Sequence, residues 1–342
     1  MRSAWRRARF CRHPLTGAVL AFVIATTIPA ASASITATRG QWSSGTDSGV
    51  GSATAVSCAS SQFCEAVGFT TGIDAAAQFN GKRWMGAKTI AKYSGVVTSL
   101  SCPVNGWCAA ITDLADVTTL RNGRWSKLIP VDPSPDPPYP GIVAALSCTA
   151  PTFCVAVDAR GMSETYNGSR WSKPRLIDRD NPINDVSCGA LEHCVVIDGF
   201  GRVLNFDDGR WSVPLGIDHA ALTGVSCATA TSCVAVDLFG RTISLNGGRW
   251  GPPTSTDMAS ATPLSISCPT AGNCIVADAA GRGFFRSRGR WIGPKLIDDS
   301  LGVSFDAVNL VDVACVHGSQ GPCVAVDSAG NATENNTPFL VK

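Results

Sequence analysis

The sequence is poor in charge, in aromatic rings and in histidine. Only 16% of its 342 residues are charged, 7% are aromatic and four are histidine. It has no Gly-x-Ser-x-Gly nucleophile motif, no phosphate-binding loop and no dinucleotide fingerprint. The few histidines stand at no metal-ligand spacing. We therefore predict no cofactor and no metal site, and the sequence identifies no catalytic residue.

Apolar residues, turn formers and cysteine are abundant instead. Hydrophobic residues make up 45% of the chain, which is enough for a large core and excludes a disordered protein. The 34 glycines and 20 prolines indicate many turns. Fifteen cysteines are unusual for a chain of this length and require a structural explanation.

The N-terminus has the layout of an export signal. An apolar stretch from Leu15 to Ile28 is followed by the small-residue site Ala31-Ser32-Ala33. The stretch is preceded by a positive region that contains Arg2, Arg6, Arg7, Arg9 and Arg12. We predict a signal peptide over 1–33 and a protein secreted to the medium or the cell envelope without a transmembrane anchor, and a retained N-terminal anchor is the alternative.

Removal of residues 1–33 changes the sign of the net charge. Five arginines and no acidic residue are lost, so Lys plus Arg falls from 28 to 23 against 26 Asp plus Glu, a net charge of −3. Nucleic-acid binding needs a basic surface. We therefore predict that nucleic acid is not a partner.

Residues 34–342 repeat one phrase seven times. The phrase is Val/Leu-Ser-Cys, five residues, Cys, Val-Ala-Val-Asp, a Gly turn, a short strand and Gly-Arg-Trp, with its first cysteine recurring every 39 to 47 residues. Fourteen cysteines form seven close pairs: Cys58 with Cys64, Cys102 with Cys108, Cys148 with Cys154, Cys188 with Cys194, Cys227 with Cys233, Cys268 with Cys274 and Cys315 with Cys323. The fifteenth, Cys11, lies in the predicted signal peptide.

Each repeat has four short runs rich in Val, Ile and aromatic residues, bounded by Gly, Asp or Asn. Four short strands in about forty residues are typical of a propeller blade. We predict an all-β, seven-bladed β-propeller of four-stranded antiparallel blades, in one domain over 34–342 and monomeric. Cysteines at opposed positions of the first two strands would lie about 4.5–5.5 Å apart, within reach of a disulfide. Pairing between blades is the alternative, and a zinc site would need four converging ligands.

The Gly-x-Trp tags are offset from the cysteine pairs. They end at Trp42, Trp84, Trp125, Trp171, Trp211, Trp250 and Trp291, so one tag precedes the first cysteine pair and none follows the last. A ring of sheets has to close, or its end blades expose their edges. We therefore expect Ile35–Ser43 to supply the outer strand of the last blade, and Pro338–Val341 to be able to join it.

Part of each repeat resembles known propellers. The phrase from Val186 to Arg202 is similar to one repeat of the RCC1-like propellers, and the turns ending at Trp171 and Trp211 resemble Asp-box hairpins of sialidase-like propellers. The whole phrase most resembles exported, Cys-paired repeat proteins of actinobacteria. These resemblances imply a ring of about seven blades, and they imply different activities.

Acidic and basic residues recur after the second strand of the repeats. They are Asp158, Asp198, Asp237, Asp278 and Asp327, and the arginines Arg202, Arg241 and Arg282. A residue present in five of seven units performs the same local task in each, and we interpret the aspartates as acceptors for the amides of their own turns. The arginines would pair with neighbouring carboxylates or form a ring that binds anions.

Binding residues are expected where the repeat is broken. The proline-rich connector 130–140 contains Tyr139, a candidate amphipathic anchor. Phe200 and Phe239 occupy matching turn positions of consecutive repeats and form a docking patch if their rings are exposed, or pack beneath the turn if they are not.

The predicted function is non-catalytic binding of a protein or an envelope glycan through the loop face. A carbohydrate-active hydrolase or lyase with carboxylates converging from several blades is the alternative, and a purely structural envelope component is a third.

Overall fold

The computed structural model describes residues 42–92, 95–131, 144–179, 181–256, 262–297, 309–319, 321–336 and 338. These residues form strands and turns, and none of them belongs to a helix long and apolar enough to cross a membrane. The predicted signal peptide, Tyr139 and most of the proline-rich connector lie outside these ranges.

The described strands form seven antiparallel sheets, one for each predicted blade. In blades 2 and 4 the outer strand is divided into two short segments. Blade 1 contains β2 (Ser52–Ser60), β3 (Phe63–Thr70), β4 (Ile73–Phe79) and β5 (Lys88–Lys92), and blade 2 contains β6 (Val97–Val104), β7 (Trp107–Thr112), β8 (Asp116–Arg121), β9 (Arg124–Trp125) and β10 (Ile129–Pro130). Blade 3 contains β11 (Ala144–Ala150), β12 (Phe153–Asp158), β13 (Met162–Tyr166) and β14 (Arg175–Leu176). Blade 4 contains β15 (Ile183–Ala190), β16 (His193–Asp198), β17 (Arg202–Asp207), β18 (Arg210–Trp211) and β19 (Leu215–Gly216).

Blade 5 contains β20 (Leu222–Thr229), β21 (Ser232–Asp237), β22 (Thr242–Asn246) and β23 (Arg249–Trp250). Blade 6 contains β24 (Pro263–Thr270), β25 (Asn273–Asp278), β26 (Arg282–Ser287) and β27 (Arg290–Leu296). Blade 7 contains β28 (Leu310–Cys315), β29 (Cys323–Asp327), β30 (Asn331–Asn335) and the N-terminal β1 (Thr46–Asp47). The second strand of a blade is mostly apolar and buried because a neighbouring blade covers each of its faces. In β12, for example, every residue is buried.

The seven sheets close into a ring. The first strands of the blades contact one another in chain order, and β28 of blade 7 contacts β2 of blade 1. The N-terminal β1 pairs with β30 as the outer strand of blade 7, with Thr46 opposite Ala332. The sequence predicted this strand around Ile35–Ser43, and Ser43 N–H bonds to the Glu334 carbonyl of blade 7 at 2.8 Å. Residues 35–41 and 339–341, which complete the two segments expected in this blade, lie outside the described residues.

All seven predicted disulfides are present, each between the first two strands of one blade. Their Cα–Cα distances range from 3.9 Å at Cys188–Cys194 to 4.1 Å at Cys102–Cys108, shorter than we expected from strand spacing. Such short distances are typical of the narrow, non-hydrogen-bonded pairs of an antiparallel ladder, in which the facing N–H groups point away from each other. The N–H of each first cysteine is therefore free to bond to the adjacent blade.

The seven tryptophans of the Gly-x-Trp tags pack between blades. Trp84 contacts the apolar cluster shared by blades 1 and 7, and Trp211 contacts the cluster shared by blades 3 and 4. Trp42 contacts the cluster between blades 6 and 7, which contains Phe285 and Cys323. Trp42, the first of the seven tag tryptophans, thus packs in blade 7 in the same way as the other six pack in their own blades.

A chain of serine hydroxyls links the first strands around the central channel. The serine before each first cysteine accepts a hydrogen bond from the N–H of the first cysteine in the next blade, as Ser57 does from Cys102 at 3.0 Å. Six such bonds connect consecutive blades from blade 1 to blade 7. At the seventh junction, between blades 7 and 1, the equivalent residue is Ala314, which has no hydroxyl group.

Candidate functional site

The ring has two faces. The turns between second and third strands and the connectors between blades lie on one face, which we call the turn face. The turns between first and second strands lie next to the disulfides on the other face, which we call the disulfide face. Antiparallel pairing fixes this division because successive turns alternate between the two ends of a blade.

The aspartates at the turn face cap their own turns, as predicted. Asp198 Oδ1 accepts the N–H groups of Phe200 and Arg202, both at 2.9 Å. The equivalent carboxylates of blades 3, 5, 6 and 7 make the same bonds, and all five are buried. Gly201 completes the turn with φ near +78°, and a Cβ there would lie 2.3 Å from the Asp218 carbonyl oxygen. These aspartates are structural groups.

The three candidate arginines pair with these carboxylates. Arg202 Nε bonds to Asp198 at 2.6 Å, and its Nη2 reaches Asp178 in the connector from blade 3. Burial by itself would lower the pKa of Arg202, but the hydrogen bonds and charges of these two carboxylates outweigh it and raise the pKa. Arg241 has the same arrangement with Asp237 and Asp218, and Arg282 bonds to Asp278. Their positive charge is therefore largely compensated, and anion binding by this set stays a prediction.

Phe200 and Phe239 are exposed on neighbouring blades. Their exposed fractions are 61% and 65%, so neither ring is packed beneath its turn. Leu238, beside Phe239, is 47% exposed. The Arg241 guanidinium lies 5.8 Å from the centroid of the Phe239 ring, which is cation–π range and supports the ring from one side. Blades 4 and 5 thus present two phenyl rings and a leucine on the turn face.

Two cavities lie along the central channel, one toward each face. The end at the disulfide face has a volume of about 520 Å³ and is lined by disulfides and small residues, with His317 at its edge. The end at the turn face has a volume of about 400 Å³ and is lined by the beginnings of the first strands. Two carboxylates, those of Asp185 in blade 4 and Asp312 in blade 7, line this second end.

Both channel carboxylates bridge adjacent blades. Asp185 Oδ2 accepts the N–H of Val225 in blade 5 at 2.9 Å, and its Oδ1 accepts the N–H of Val186 at 2.7 Å. Asp312 Oδ2 accepts the N–H of Val56 in blade 1 at 2.8 Å. Its Oδ1 accepts the Val313 N–H and the Ser265 hydroxyl.

Burial changes the protonation of these two groups. Desolvation raises the pKa of Asp185 to about 7, with a smaller contribution from the charge of Asp312, and the amide bonds oppose this rise. Desolvation likewise raises the pKa of Asp312. A carboxyl group that titrates near neutral pH, as that of Asp185 does, can donate or accept a proton.

One position of the repeat marks these two aspartates in the sequence, although the sequence analysis did not identify them. Three residues before the first cysteine, the seven repeats carry Ala55, Ser99, Ala145, Asp185, Gly224, Ser265 and Asp312. Five are small and two are carboxylates, so the repeat is broken at this position as clearly as in its loops. Within the described part of the chain, no group of three or more His, Cys, Asp or Glu side chains is arranged to hold a metal ion.

Comparison with known proteins gives a fold and no family. No family model and no curated protein matches the chain. The structure of YCF48 bound to D1 peptide matches with a TM-score of 0.63 at 13% identity, over 86% of this chain and 97% of that one. YCF48 from Cyanidioschyzon merolae gives 0.64 at 12%, over 88% and 100%. The WD40 propeller domain of Doa1 gives 0.64 at 9%, over 86% and 95%. At such low identity these similarities establish the propeller fold alone.

Proposed function

We propose that this protein is an exported, non-catalytic propeller that binds a protein partner through the turn face of blades 4 and 5. The exposure of Phe200 and Phe239 at equivalent turns of neighbouring blades carries the proposal. Burial of exposed aromatic rings contributes strongly to protein–protein affinity, and a few such residues dominate most interfaces.

Two further observations support a protein as the partner. Leu238 and, on the outer strand of blade 4, Leu215 extend the apolar surface toward the same face, and Leu215 is 51% exposed. The similar propeller YCF48 has a structure with a bound peptide, so this architecture accommodates polypeptide ligands. We propose that the protein is a monomer, a state in which the turn face of blades 4 and 5 is free to bind a partner.

Export is supported by the seven disulfides, because stable disulfides are typical of oxidising compartments outside the cytosol. N-terminal sequencing of the protein recovered from culture medium and from the cell wall tests this part. A start at Ser34 supports the signal peptide, whereas an intact N-terminus contradicts it. Recovery in the wall alone, with no captured partner, supports a structural envelope component.

The binding proposal is tested by capture on the immobilised protein. Envelope and medium fractions are applied to the wild type, to the double variant Phe200→Ser/Phe239→Ser and to Leu191→Ser, a matched control that is 58% exposed on the disulfide face. A protein captured by the wild type is purified, and its affinity is measured by calorimetry. We expect the double variant to bind about ten-fold or more weakly and the control to bind as the wild type does.

Equal affinity for wild type and double variant contradicts the proposed surface. Treatment of the fractions with protease separates the two kinds of partner. Capture that survives the protease and is lost after glycosidase treatment identifies an envelope glycan in place of a protein.

The convergence of Asp185 and Asp312 in one cavity favours a second candidate function, a carbohydrate-active hydrolase or lyase. Such enzymes use two carboxyl groups, of which one acts as an acid because its pKa is raised. A glycan panel with detection of products tests it. Turnover that is lost in both Asp185→Asn and Asp312→Asn supports this activity, and retention of glycans without turnover contradicts it.

A further inference from the structure

At three of the interfaces between blades, side chains from both blades fill the space near the disulfide face. One comes from the residue before the second cysteine of a blade, and the other from the third strand of the next blade. Between blades 3 and 4 they are Phe153 and Phe206, whose rings stack with centroids 6.1 Å apart. Both belong to the apolar cluster of that interface.

The two preceding interfaces are filled in the same way. Trp107 and Tyr166 occupy these positions between blades 2 and 3 and share one buried cluster. Phe63 and Leu120 occupy them between blades 1 and 2, again in one cluster. At least one aromatic ring therefore fills each of these three interfaces.

The interface between blades 4 and 5 lacks this ring. Its two positions hold His193 and Leu245, and a cavity of about 270 Å³ lies between the blades with both residues in its lining. A dry cavity of about 150 Å³ is already sufficient for benzene. The space that a phenyl ring takes one interface earlier is thus open here.

The edge of this cavity is polar. His193 Nδ1 lies 2.8 Å from Asp207 Oδ1, which fixes the orientation of the imidazole. Within the described residues Nε2 of His193 makes no hydrogen bond. Asn205 and Thr231 also line the cavity. An occupant with an apolar ring and one hydroxyl group would match this combination of open volume and free imidazole nitrogen.

We propose that the cavity between blades 4 and 5 is a binding site for a phenol ring, such as the side chain of a tyrosine on a partner. The ring takes the place that Phe153 fills between blades 3 and 4, and the hydroxyl bonds to the imidazole of His193. The site opens beside the disulfides, away from Phe200 and Phe239, and is independent of the function proposed for the turn face.

Saturation-transfer NMR of the intact protein with p-cresol, and with toluene as the ligand without a hydroxyl, tests the site. We expect p-cresol to bind with a dissociation constant on the order of 1 mM, which is usual for a fragment of this size, and toluene to bind about ten-fold more weakly. His193→Phe and Leu245→Phe each fill the cavity from one side, and each should reduce the p-cresol signal at least about five-fold.

Two controls keep the result specific. Leu191→Ser lies on the same face outside the cavity and should leave the signal unchanged. Asp207→Asn disturbs the orientation of the imidazole and should weaken p-cresol while leaving toluene unchanged. Near-UV circular dichroism shows whether each variant is folded. His193→Phe and Leu245→Phe change different strands, β16 and β22, so each tests the filling of the cavity separately. Absence of a p-cresol signal with the wild type at 10 mM, or an undiminished signal in a folded filling variant, overturns the proposal.

Discussion

Asp312 in blade 7 accepts a hydrogen bond from the backbone N–H of Val56 in blade 1, at 2.8 Å. This bond crosses the junction at which the two ends of the propeller meet. The serine chain around the channel is interrupted there, because Ala314 stands where the other blades place a hydroxyl. The carboxylate of Asp312 therefore links the first strands at the junction where the serine link is missing.

The first prediction concerns pH. The pKa of Asp185 is about 7 in the folded protein and that of Asp312 is also raised, so the native state holds more protons than the unfolded state between about pH 4 and pH 7. Stability should therefore increase as pH falls toward 5 and decrease as pH rises through 7. Thermal unfolding between pH 5 and pH 9 measures this slope, and Asp185→Asn/Asp312→Asn should flatten it.

Glu65 provides the control for this prediction. Burial raises its pKa to about 8, so it contributes a slope of the same sign from a position outside the channel. Glu65→Gln should flatten the slope further without changing the junction of the ring. Hydrogen exchange at Val56, corrected for the intrinsic rate, should depend on pH in the wild type and in Glu65→Gln, and less in Asp312→Asn. If the unfolding temperature depends on pH equally in the wild type and in all variants, the channel carboxylates do not control stability.

The second prediction concerns the missing serine. Ala314→Ser places a hydroxyl opposite the N–H of Cys58, which the narrow disulfide pair directs away from its own blade. The added bond should stabilise the protein by about 1 kcal/mol. Ser267→Ala removes the existing bond to Cys315 and should destabilise it by about 1–3 kcal/mol, because a buried N–H loses its acceptor. Denaturant titration measures both, and destabilisation by Ala314→Ser would refute the inferred equivalence of the two positions.

The third prediction concerns ring closure. Trp42 packs between blades 6 and 7 as Trp211 does between blades 3 and 4. Trp42→Ala and Trp211→Ala should therefore destabilise the whole protein by similar amounts, about 3 kcal/mol, in one cooperative transition. Fluorescence and circular dichroism should report the same midpoint. If Trp42→Ala costs less than about 0.5 kcal/mol, the N-terminal segment does not complete the ring.

Local repetition made most of the fold predictable. A phrase of about forty residues that recurs seven times specifies the same short strands and the same cysteine pair in every blade, and the same Asp-capped turn in five of the seven. The offset between Trp42 and Cys58 also predicted which end of the chain completes blade 7. The closing strand of the described residues is Thr46–Asp47, and most of the segment predicted for it, around Ile35–Ser43, lies outside the described part of the chain.

The sequence by itself determined the number of blades, the spacing of the seven cysteine pairs and the capping role of residues such as Asp198, since each depends on neighbours within one repeat. Only the tertiary structure decided that Asp185 and Asp312 share a cavity and that His193 and Leu245 leave one between them. Those relationships join different repeats, and residues far apart in the chain approach one another only when the ring closes. Exposure of Phe200 and Phe239 was likewise decided by packing, because an apolar turn residue fits the sequence pattern equally well inside or outside.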